Sequence, residues 1–252
     1  MTDTPPRSSV QRPREIWTRL TVDPLADPLA AALSKSRHVT PNRVTGLAVV
    51  LACGAAACFA GGHLRVGGAL FIARFFADCL DGKVARAQGS SSSRGAMLDL
   101  AADVGGISLV VAALSWQLLD GRGGSMVPTF VPLAFLACLV YYNWALAFRK
   151  HLAHERGMGD GGADHNARVA VPVVGGWVAF CRRMNMSPVP WVLEAEIAVL
   201  GLAPLLLPTT WVGRVFELGL IFYIVACVVN TRRLWRLTAP SDLGRAGTEG
   251  AS

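Results

Sequence analysis

The sequence predicts an all-α, polytopic membrane protein with six transmembrane helices and an N-terminal interfacial helix. Of its 252 residues, 52% are hydrophobic and only 16% are charged, and the mean hydropathy is +0.42; this composition is typical of membrane proteins. Six apolar segments, each near the roughly 20 residues that a span requires, lie at about 43–62, 66–86, 96–119, 127–148, 189–208 and 211–231.

The first 39 residues are expected to form a cytoplasmic tail that carries the surface helix. Residues 2–14 are polar and proline-rich, so we expect disorder there, and they contain no apolar core of a cleaved signal peptide. From Ile16 to Leu33 apolar residues alternate with charged ones. Pro24 and Pro28 should interrupt any long helix, which predicts a short helix lying on the membrane surface.

A helix start signal marks the beginning of the membrane domain. Thr40 precedes Pro41, and proline is favoured at the first helical position, so we place the six-helix domain at 40–235. Residues 236–252 are rich in small residues and are expected to form a flexible tail. The longest loop is placed at 149–188, where scattered His, Asp and Glu residues lack a regular metal-ligand spacing and indicate a solvated loop.

The distribution of basic residues predicts the orientation of the chain in the membrane. Cytoplasmic loops carry an excess of Lys and Arg. With both termini in the cytoplasm, 20 of the 24 Lys and Arg residues lie on the inner side, within 1–43, 83–94, 149–183 and 232–245. The net charge of +7 is therefore attributed to topology and contact with anionic lipids, and no nucleic-acid partner is expected.

The six cysteines show no paired spacing. We therefore predict neither a disulfide framework nor a zinc site. Most of them fall within apolar segments, where a free cysteine behaves as a small hydrophobic residue.

Four carboxylates stand inside otherwise apolar segments, where a charged side chain is costly and usually functional. Asp78 and Asp81 are three residues apart, and Asp99 and Asp103 are four apart, so each pair shares one face of a helix. The short polar turn 87–94 makes the two helices antiparallel neighbours, and the pairs can converge. Four converging oxygen ligands suit hard divalent cations such as Mg²⁺ or Mn²⁺.

These residues belong to a longer pattern, D-x2-D-G-x2-A-R-x8-G-x3-D-x3-D. The chain matches it at every fixed position: Asp78, Asp81, Gly82, Ala85, Arg86, Gly95, Asp99 and Asp103. In this it resembles the CDP-alcohol phosphotransferases. The resemblance implies an integral-membrane transferase that moves a phospho-alcohol group from a CDP-alcohol to an acceptor hydroxyl with release of CMP. It also implies two Mg²⁺ or Mn²⁺ ions and a homodimer.

The resemblance assigns roles to individual residues. Asp78, Asp81 and Asp99 are implied metal ligands, and Asp103 is the implied general base and a further ligand. The implied substrate-binding residues are Asn42, Thr45, Gly82, Ala85, Arg86 and Gly95. Several have a simpler explanation: the region of Asn42 and Thr45 as a plain helix start, Gly82 and Ala85 as small-residue packing, and Arg86 as a cytoplasmic anchor. Lys83 is not a fixed position, and we treat it as a topology determinant or a secondary phosphate contact.

The identity of the two alcohols stays open at this point. A CDP-diacylglycerol donor with a soluble acceptor is the favoured arrangement, and a CDP-linked soluble alcohol with a lipid acceptor is the alternative. The basic segment 148–157 partly matches family members that use phosphorylated acceptors. A non-enzymatic, divalent-cation-binding membrane protein is the competing class, but the ionisable residues cluster at the inner ends of two spans, which favours an accessible active site.

Arg74 lies outside the pattern but shares a helical face with Asp78 and Asp81. An unpaired guanidinium at that depth would be costly. We expect it to form the floor of the site by pairing with Asp78, or else to meet a polar group such as Glu217 or Asn143 on another helix.

Overall fold

The computed structural model of the chain describes residues 15–36, 38–90, 92–119, 127–128, 130–155, 175–187 and 190–238. Within these ranges the chain is helical and contains no β-strand, which confirms the predicted all-α class. The helices are α1 (Asp23–Leu33), α2 (Pro41–Ala60), α3 (Leu64–Ala87), α4 (Ser93–Leu119), α5 (Phe130–Glu155), α6 (Gly175–Arg183), α7 (Val192–Glu196), α8 (Ala203–Leu206) and α9 (Thr209–Thr238). A π-helical turn precedes α1 at Thr18–Val22, and another joins α7 to α8 at Ile197–Leu202.

Four described helices are long and apolar enough to cross a membrane: α2, α4, α5 over Phe130–Leu152, and α9. They coincide with four of the six predicted spans and indicate an integral membrane protein. The second predicted span lies in α3, which is long enough but carries six charged residues. The fifth predicted span contains one helical run from Val192 to Leu206, in which α7 and α8 are joined by the π-helical turn. The spans of these two segments remain predictions.

Helix α2 starts where the sequence predicts. Thr40 is extended (φ −103°, ψ 150°) and Pro41 is the first helical residue. The Thr40 side chain makes no capping hydrogen bond; instead its carbonyl accepts from the backbone N–H groups of Arg43 and Val44 at 3.0 and 3.3 Å. The proline, with its fixed φ, therefore determines this helix start.

Glycines on α3 allow close contact with two neighbouring segments. A Cβ at Gly67 would lie 2.5 Å from the ring of Phe59 on α2, and a Cβ at Gly68 would lie 2.5 Å from the carbonyl oxygen of Gly201. The motif helix is thus held tightly between α2 and the π-helical turn that follows α7.

The turn between the motif helices is short and polar, as predicted. Helix α3 ends at Ala87, and Gly89 just beyond it has a φ of +62°, the left-handed conformation common after a helix. The N–H of Ser90 donates back to the carbonyl of Ala85 at 3.0 Å. At the start of α4, the N–H of Gly95 donates to the hydroxyl of Ser92 at 3.1 Å. The turn connects the ends of α3 and α4 that carry the aspartates, and α2 packs against both helices.

A cluster of aromatic residues fills the contact between α5 and α9. The ring of Phe135 lies 4.8 Å from those of both Phe216 and Tyr223, measured between centroids. All three side chains are fully buried. Rings of this size contribute strongly to a core through their buried area and their tilted contacts.

The N-terminal helical segment is longer than predicted. Pro24 lies directly after the π-helical turn, at the start of α1, and Pro28 lies inside the helix without ending it. Val22 and Ala26 are buried against a cluster that contains Phe75 of α3, while Leu25 is 65% exposed. The segment therefore packs on the motif helix, and its outward apolar face suits the predicted position at the membrane surface.

The predicted loop 149–188 is wrong in extent. Helix α5 continues to Glu155 and α6 occupies Gly175–Arg183, because the polar residues after Phe148 continue the helix beyond the apolar stretch. The glycine-rich part of this loop lies outside the described residues. So do the predicted disordered residues 2–14 and the tail beyond Thr238.

Candidate active site

The four aspartates of the motif lie on two helices and within electrostatic range of one another. Asp78 and Asp81 lie near the end of α3, and Asp99 and Asp103 lie in the first turns of α4. The charge of Asp78 interacts with those of the other three carboxylates, and the charge of Asp99 interacts with those of Asp81 and Asp103. Of the described His, Cys, Asp and Glu side chains, no three lie close enough together to hold a metal ion. The site is thus a concentration of negative charge.

Arg74 is the cation that faces this charge. Its Nη2 hydrogen-bonds to Oδ1 of Asp103, lies 3.4 Å from the Asp103 carbonyl oxygen, and lies 3.7 Å from Oδ1 of Asp78. The guanidinium is also 5.8 Å from the ring centroid of Phe71, and the residue is only 2% exposed. Arg74 therefore belongs to the site, and Asp103 is its nearer partner.

The other partners considered for Arg74 are engaged elsewhere. Glu217 accepts a hydrogen bond from Arg214 at 2.9 Å. The amide nitrogen of Asn143 donates to the carbonyl of Leu139, one turn earlier on its own helix, at 3.0 Å.

Thr45 reaches the site from α2. Its hydroxyl oxygen lies 2.5 Å from Oδ2 of Asp81 and 3.2 Å from the carbonyl of Pro41. Both Thr45 and Asp81 are buried, at 6% and 4% exposure. Asn42 is exposed in the first turn of α2, one turn from Thr45. Of the two predicted contacts on α2, the structure places Thr45 directly on a site carboxylate.

The small residues of the motif shape the end of α3. A Cβ at Gly82 would lie 3.3 Å from Nη1 of Arg86, so the glycine leaves room for the arginine to fold back along its own helix. Arg86 is exposed and Ala85 is half-buried beside it. Gly95 lies across the turn, at the start of α4. An exposed guanidinium at the end of the motif helix suits contact with a phosphate group.

Lys83 does not face a phosphate position. It is 9% exposed, its Nζ lies 2.7 Å from Oδ1 of Asp23, and it also contacts Asp27. Both carboxylates belong to α1. The sequence interpretation of Lys83 as a topology determinant or phosphate contact missed these partners, because they lie 56 and 60 residues away along the chain.

A further carboxylate, Glu196, interacts with the site. It accepts a hydrogen bond from the hydroxyl of the fully buried Tyr223, and its charge interacts with those of Asp103 and Arg74. Glu196 lies in the fifth predicted span, 189–208, and the sequence alone gave it no role. A carboxylate inside such a segment was the signal that could have identified it.

Two arginines lie near one another beyond Glu196. Arg149, half-buried near the end of α5, interacts electrostatically with Arg233 of α9. The guanidinium of Arg233 is 5.7 Å from the ring centroid of Trp191, and the indole N–H of Trp191 donates to the hydroxyl of Tyr142 at 2.6 Å. Tyr142 is close enough to interact with both arginines and with Glu196. The two basic groups are therefore connected to Glu196 through Tyr142.

Comparison with known proteins shows which family the sequence matches. The sequence model of CDP-alcohol phosphatidyltransferases matches residues 38–228. The chain is 31% identical over 191 residues to the phosphatidylinositol phosphate synthase of Mycolicibacterium smegmatis, covering 75% of this chain and 82% of that protein. It is 31% identical over 193 residues to the synthase of the same name from Mycobacteroides abscessus, covering 75% and 83%.

Solved structures share the fold. Two crystal structures of Mycobacterium tuberculosis phosphatidylinositol phosphate synthase, one with CDP-DAG bound and one with manganese and citrate, align with a TM-score of 0.55 at 22% identity. The alignments cover 84% of this chain and 94% and 89% of the two crystallised chains. The chain contains every fixed residue of the family pattern, and the family model matches most of the chain. The chain therefore belongs to the CDP-alcohol phosphatidyltransferase family.

Proposed function

We propose that this enzyme transfers the phosphatidyl group of CDP-diacylglycerol to a phosphorylated, water-soluble polyol, releasing CMP. The observation that carries the proposal is a chain of electrostatic interactions that runs from the four carboxylates of α3 and α4 through Glu196 and Tyr142 to the arginines Arg149 and Arg233. The carboxylates suit the chemistry common to the family. The arginines suit an acceptor that carries its own phosphate, and the phosphatidylinositol phosphate synthases among the relatives support that choice.

Asp78, Asp81, Asp99 and Asp103 are the residues that would hold Mg²⁺ or Mn²⁺. The fit rests on charge and donor chemistry, since four mutually interacting carboxylates face one arginine and carboxylate oxygens are preferred ligands of these ions. Bound divalent cations would neutralise the pyrophosphate and the developing charge on the leaving group. A relative was crystallised with manganese.

The residues of the chain supply the remaining steps. Arg86, exposed over Gly82, binds a phosphate of the donor, and Thr45 holds Asp81 in place through its hydroxyl. Asn42, Ala85 and Gly95 border the space where the nucleotide lies. Asp103 accepts the proton of the acceptor hydroxyl. The acceptor oxygen then bonds to the β-phosphorus of the donor as the bond from that phosphorus to the bridging oxygen breaks, and CMP leaves with that oxygen.

The two arginines define the acceptor. Two guanidinium groups that are near enough to repel one another favour an anion between them, and arginine binds phosphate through two parallel hydrogen bonds. Tyr142 interacts with both arginines and with Glu196, which in turn interacts with Asp103. A phosphate held by the arginines would therefore place the rest of the acceptor toward the proposed base.

We also propose that the active site and both termini lie on the cytoplasmic side of the membrane and that the protein is a homodimer. The basic ends of α3, α5 and α9 support an orientation with the site and both termini on the cytoplasmic side. Cysteine labelling that placed residues 87–94 outside the cell would contradict this orientation. A homodimer is proposed from family resemblance, and cross-linking in membranes would test it.

The test of the proposed function is CMP release by the purified protein with CDP-diacylglycerol and a panel of acceptors. We expect release with inositol phosphate and much less with unphosphorylated inositol. Arg149→Gln should raise the acceptor KM by about tenfold or more, the effect of losing one charged hydrogen bond, with the donor KM unchanged. Lys150→Gln, at the exposed neighbouring residue, is the control and should change neither constant.

Two results would contradict the proposal. Equal rates with phosphorylated and unphosphorylated acceptors would remove the assigned role of the arginines. CMP release that requires a CDP-linked soluble alcohol and a lipid acceptor would favour the reverse arrangement, which uses the same four aspartates.

A further inference from the structure

Arg74 is not a fixed residue of the family pattern, yet it is the cation that contacts the site carboxylates. We infer that Arg74 is a positioning residue: it fixes the orientation of Asp103 relative to Asp78, and its charge stabilises the four-carboxylate site when no divalent cation is bound. The part of this inference that concerns turnover rests on the proposed function, and the part that concerns charge does not.

The geometry joins the two motif helices through one side chain. Nη2 of Arg74, on α3, bonds to a carboxylate oxygen of Asp103 on α4 and lies 3.4 Å from the backbone oxygen of the same residue. The same nitrogen is 3.7 Å from Asp78. A guanidinium presents five donors in a fixed plane, whereas the ammonium of lysine is a single point of charge. Arginine can therefore hold Asp103 at a fixed angle while still facing Asp78.

The surroundings keep the guanidinium in place. Its side chain is 3% exposed, and the ring of Phe71 lies against it. Gly106 of α4 lies beside the guanidinium: a Cβ there would lie 3.8 Å from Nε of Arg74, an ordinary contact distance. The Asp103 side chain is 32% exposed, so packing alone does not fix it. The orientation of Asp103 therefore depends on the arginine.

The balance of charge gives Arg74 its second role. Four aspartates interact with one another, and Glu196 adds a fifth negative charge within range of Arg74. Like charges at this spacing oppose one another strongly unless cations lie between them. Without Arg74, a divalent ion would be the main remaining source of compensation, so the folded state would depend more on that ion.

Two variants of Arg74 and one control separate these roles. Arg74→Lys keeps the charge and loses the planar donors; Arg74→Leu loses both. The control is Arg214→Leu, which removes an arginine paired with Glu217 on α9 and 73% exposed. For each protein we would measure kcat and both KM values, and the melting temperature in EDTA and in Mn²⁺.

We expect Arg74→Lys to melt near the wild-type temperature but to lose about tenfold or more in kcat, because small misplacements of a reacting group are costly. Its KM values should stay near those of the wild type. Arg74→Leu should melt lower than the wild type in EDTA and show a larger rise on addition of Mn²⁺. Arg214→Leu should match the wild type in every measurement. Folding of Arg74→Leu only in Mn²⁺ would be the extreme form of the expected result.

Either part can fail separately. Wild-type kcat in Arg74→Lys would overturn the positioning role. An unchanged Mn²⁺ effect in Arg74→Leu, or loss of folding with and without Mn²⁺, would overturn the charge role and assign the residue to packing. If wild-type protein released no CMP from CDP-diacylglycerol, the proposed function would fail, while the melting comparison would still decide the charge role.

Discussion

The four motif aspartates are chemically identical but have different surroundings. Asp81 is buried and held by the Thr45 hydroxyl. Asp103 is 32% exposed and Asp78 is 23% exposed, and both face Arg74. A general base must meet the substrate hydroxyl, whereas a metal ligand can be buried. The greater exposure of Asp103 therefore agrees with its proposed role as the general base. The burial of Asp81 agrees with its proposed role as a metal ligand.

Asp103→Asn should reduce turnover by about a hundredfold or more, the usual contribution of a general base. The remaining carboxylates should still bind Mn²⁺, which titration of the metal by electron paramagnetic resonance would measure. Asp81→Asn is the matched comparison and should weaken Mn²⁺ binding as well as turnover. Near-normal turnover of Asp103→Asn at saturating Mn²⁺ would show that another group takes the proton.

At the scale of elements, α1 is fastened to the motif helix by one lysine and two aspartates that differ in burial. Asp23 is 2% exposed and Asp27 is 54% exposed, and both meet Lys83. Arg19, just before α1, lies 3.6 Å from Asp23 and donates to the carbonyl of Met184 at 3.1 Å. The buried pair of Asp23 and Lys83 therefore links the N-terminal segment to α3. Arg19 links the same segment to Met184, just beyond α6.

Removing the buried aspartate should loosen this segment. Asp23→Asn is expected to destabilise the protein by about 3 kcal/mol, since it leaves a buried lysine with less compensation. Asp27→Asn should cost less than about 1 kcal/mol, as for an exposed ion pair. Thermal unfolding and limited proteolysis near residues 15–36 would measure the difference. Equal effects of the two substitutions would show that Lys83 does not depend on the buried partner.

A pair of glycines tests how closely α3 packs. Gly68→Ala would place a methyl group 2.5 Å from the backbone of Gly201, and we expect a loss of about 1–3 kcal/mol from overpacking. Gly105→Ala on α4 meets nothing within 4 Å and should be neutral or stabilising by up to about 1 kcal/mol. Thermal melts of both variants would decide. A stable Gly68→Ala would mean that α3 can move away from the π-helical turn.

Considering the fold in full, the all-α class, the two motif helices and the short turn between them could be predicted from the sequence. Each depends on a signal within a short stretch of chain, either the apolar pattern of a helix or the residues of a turn. Local patterns could not predict partners distant in sequence, such as Lys83 with α1 or Glu196 with the motif site. Local patterns also did not predict the π-helical turn inside the helical run from Val192 to Leu206 of the fifth predicted span. The prolines of α1 were overestimated as helix breakers because tertiary packing on α3 supports that helix.

The central claim is that the four aspartates of α3 and α4 form one divalent-metal site. Its most direct test is anomalous diffraction from crystals of the protein grown with Mn²⁺. We predict anomalous peaks within coordination distance of the carboxylates of Asp78, Asp81 and Asp99, with Asp103 beside them. Well-ordered aspartates without an anomalous peak at saturating Mn²⁺, or a peak only at other residues, would contradict this account of the site.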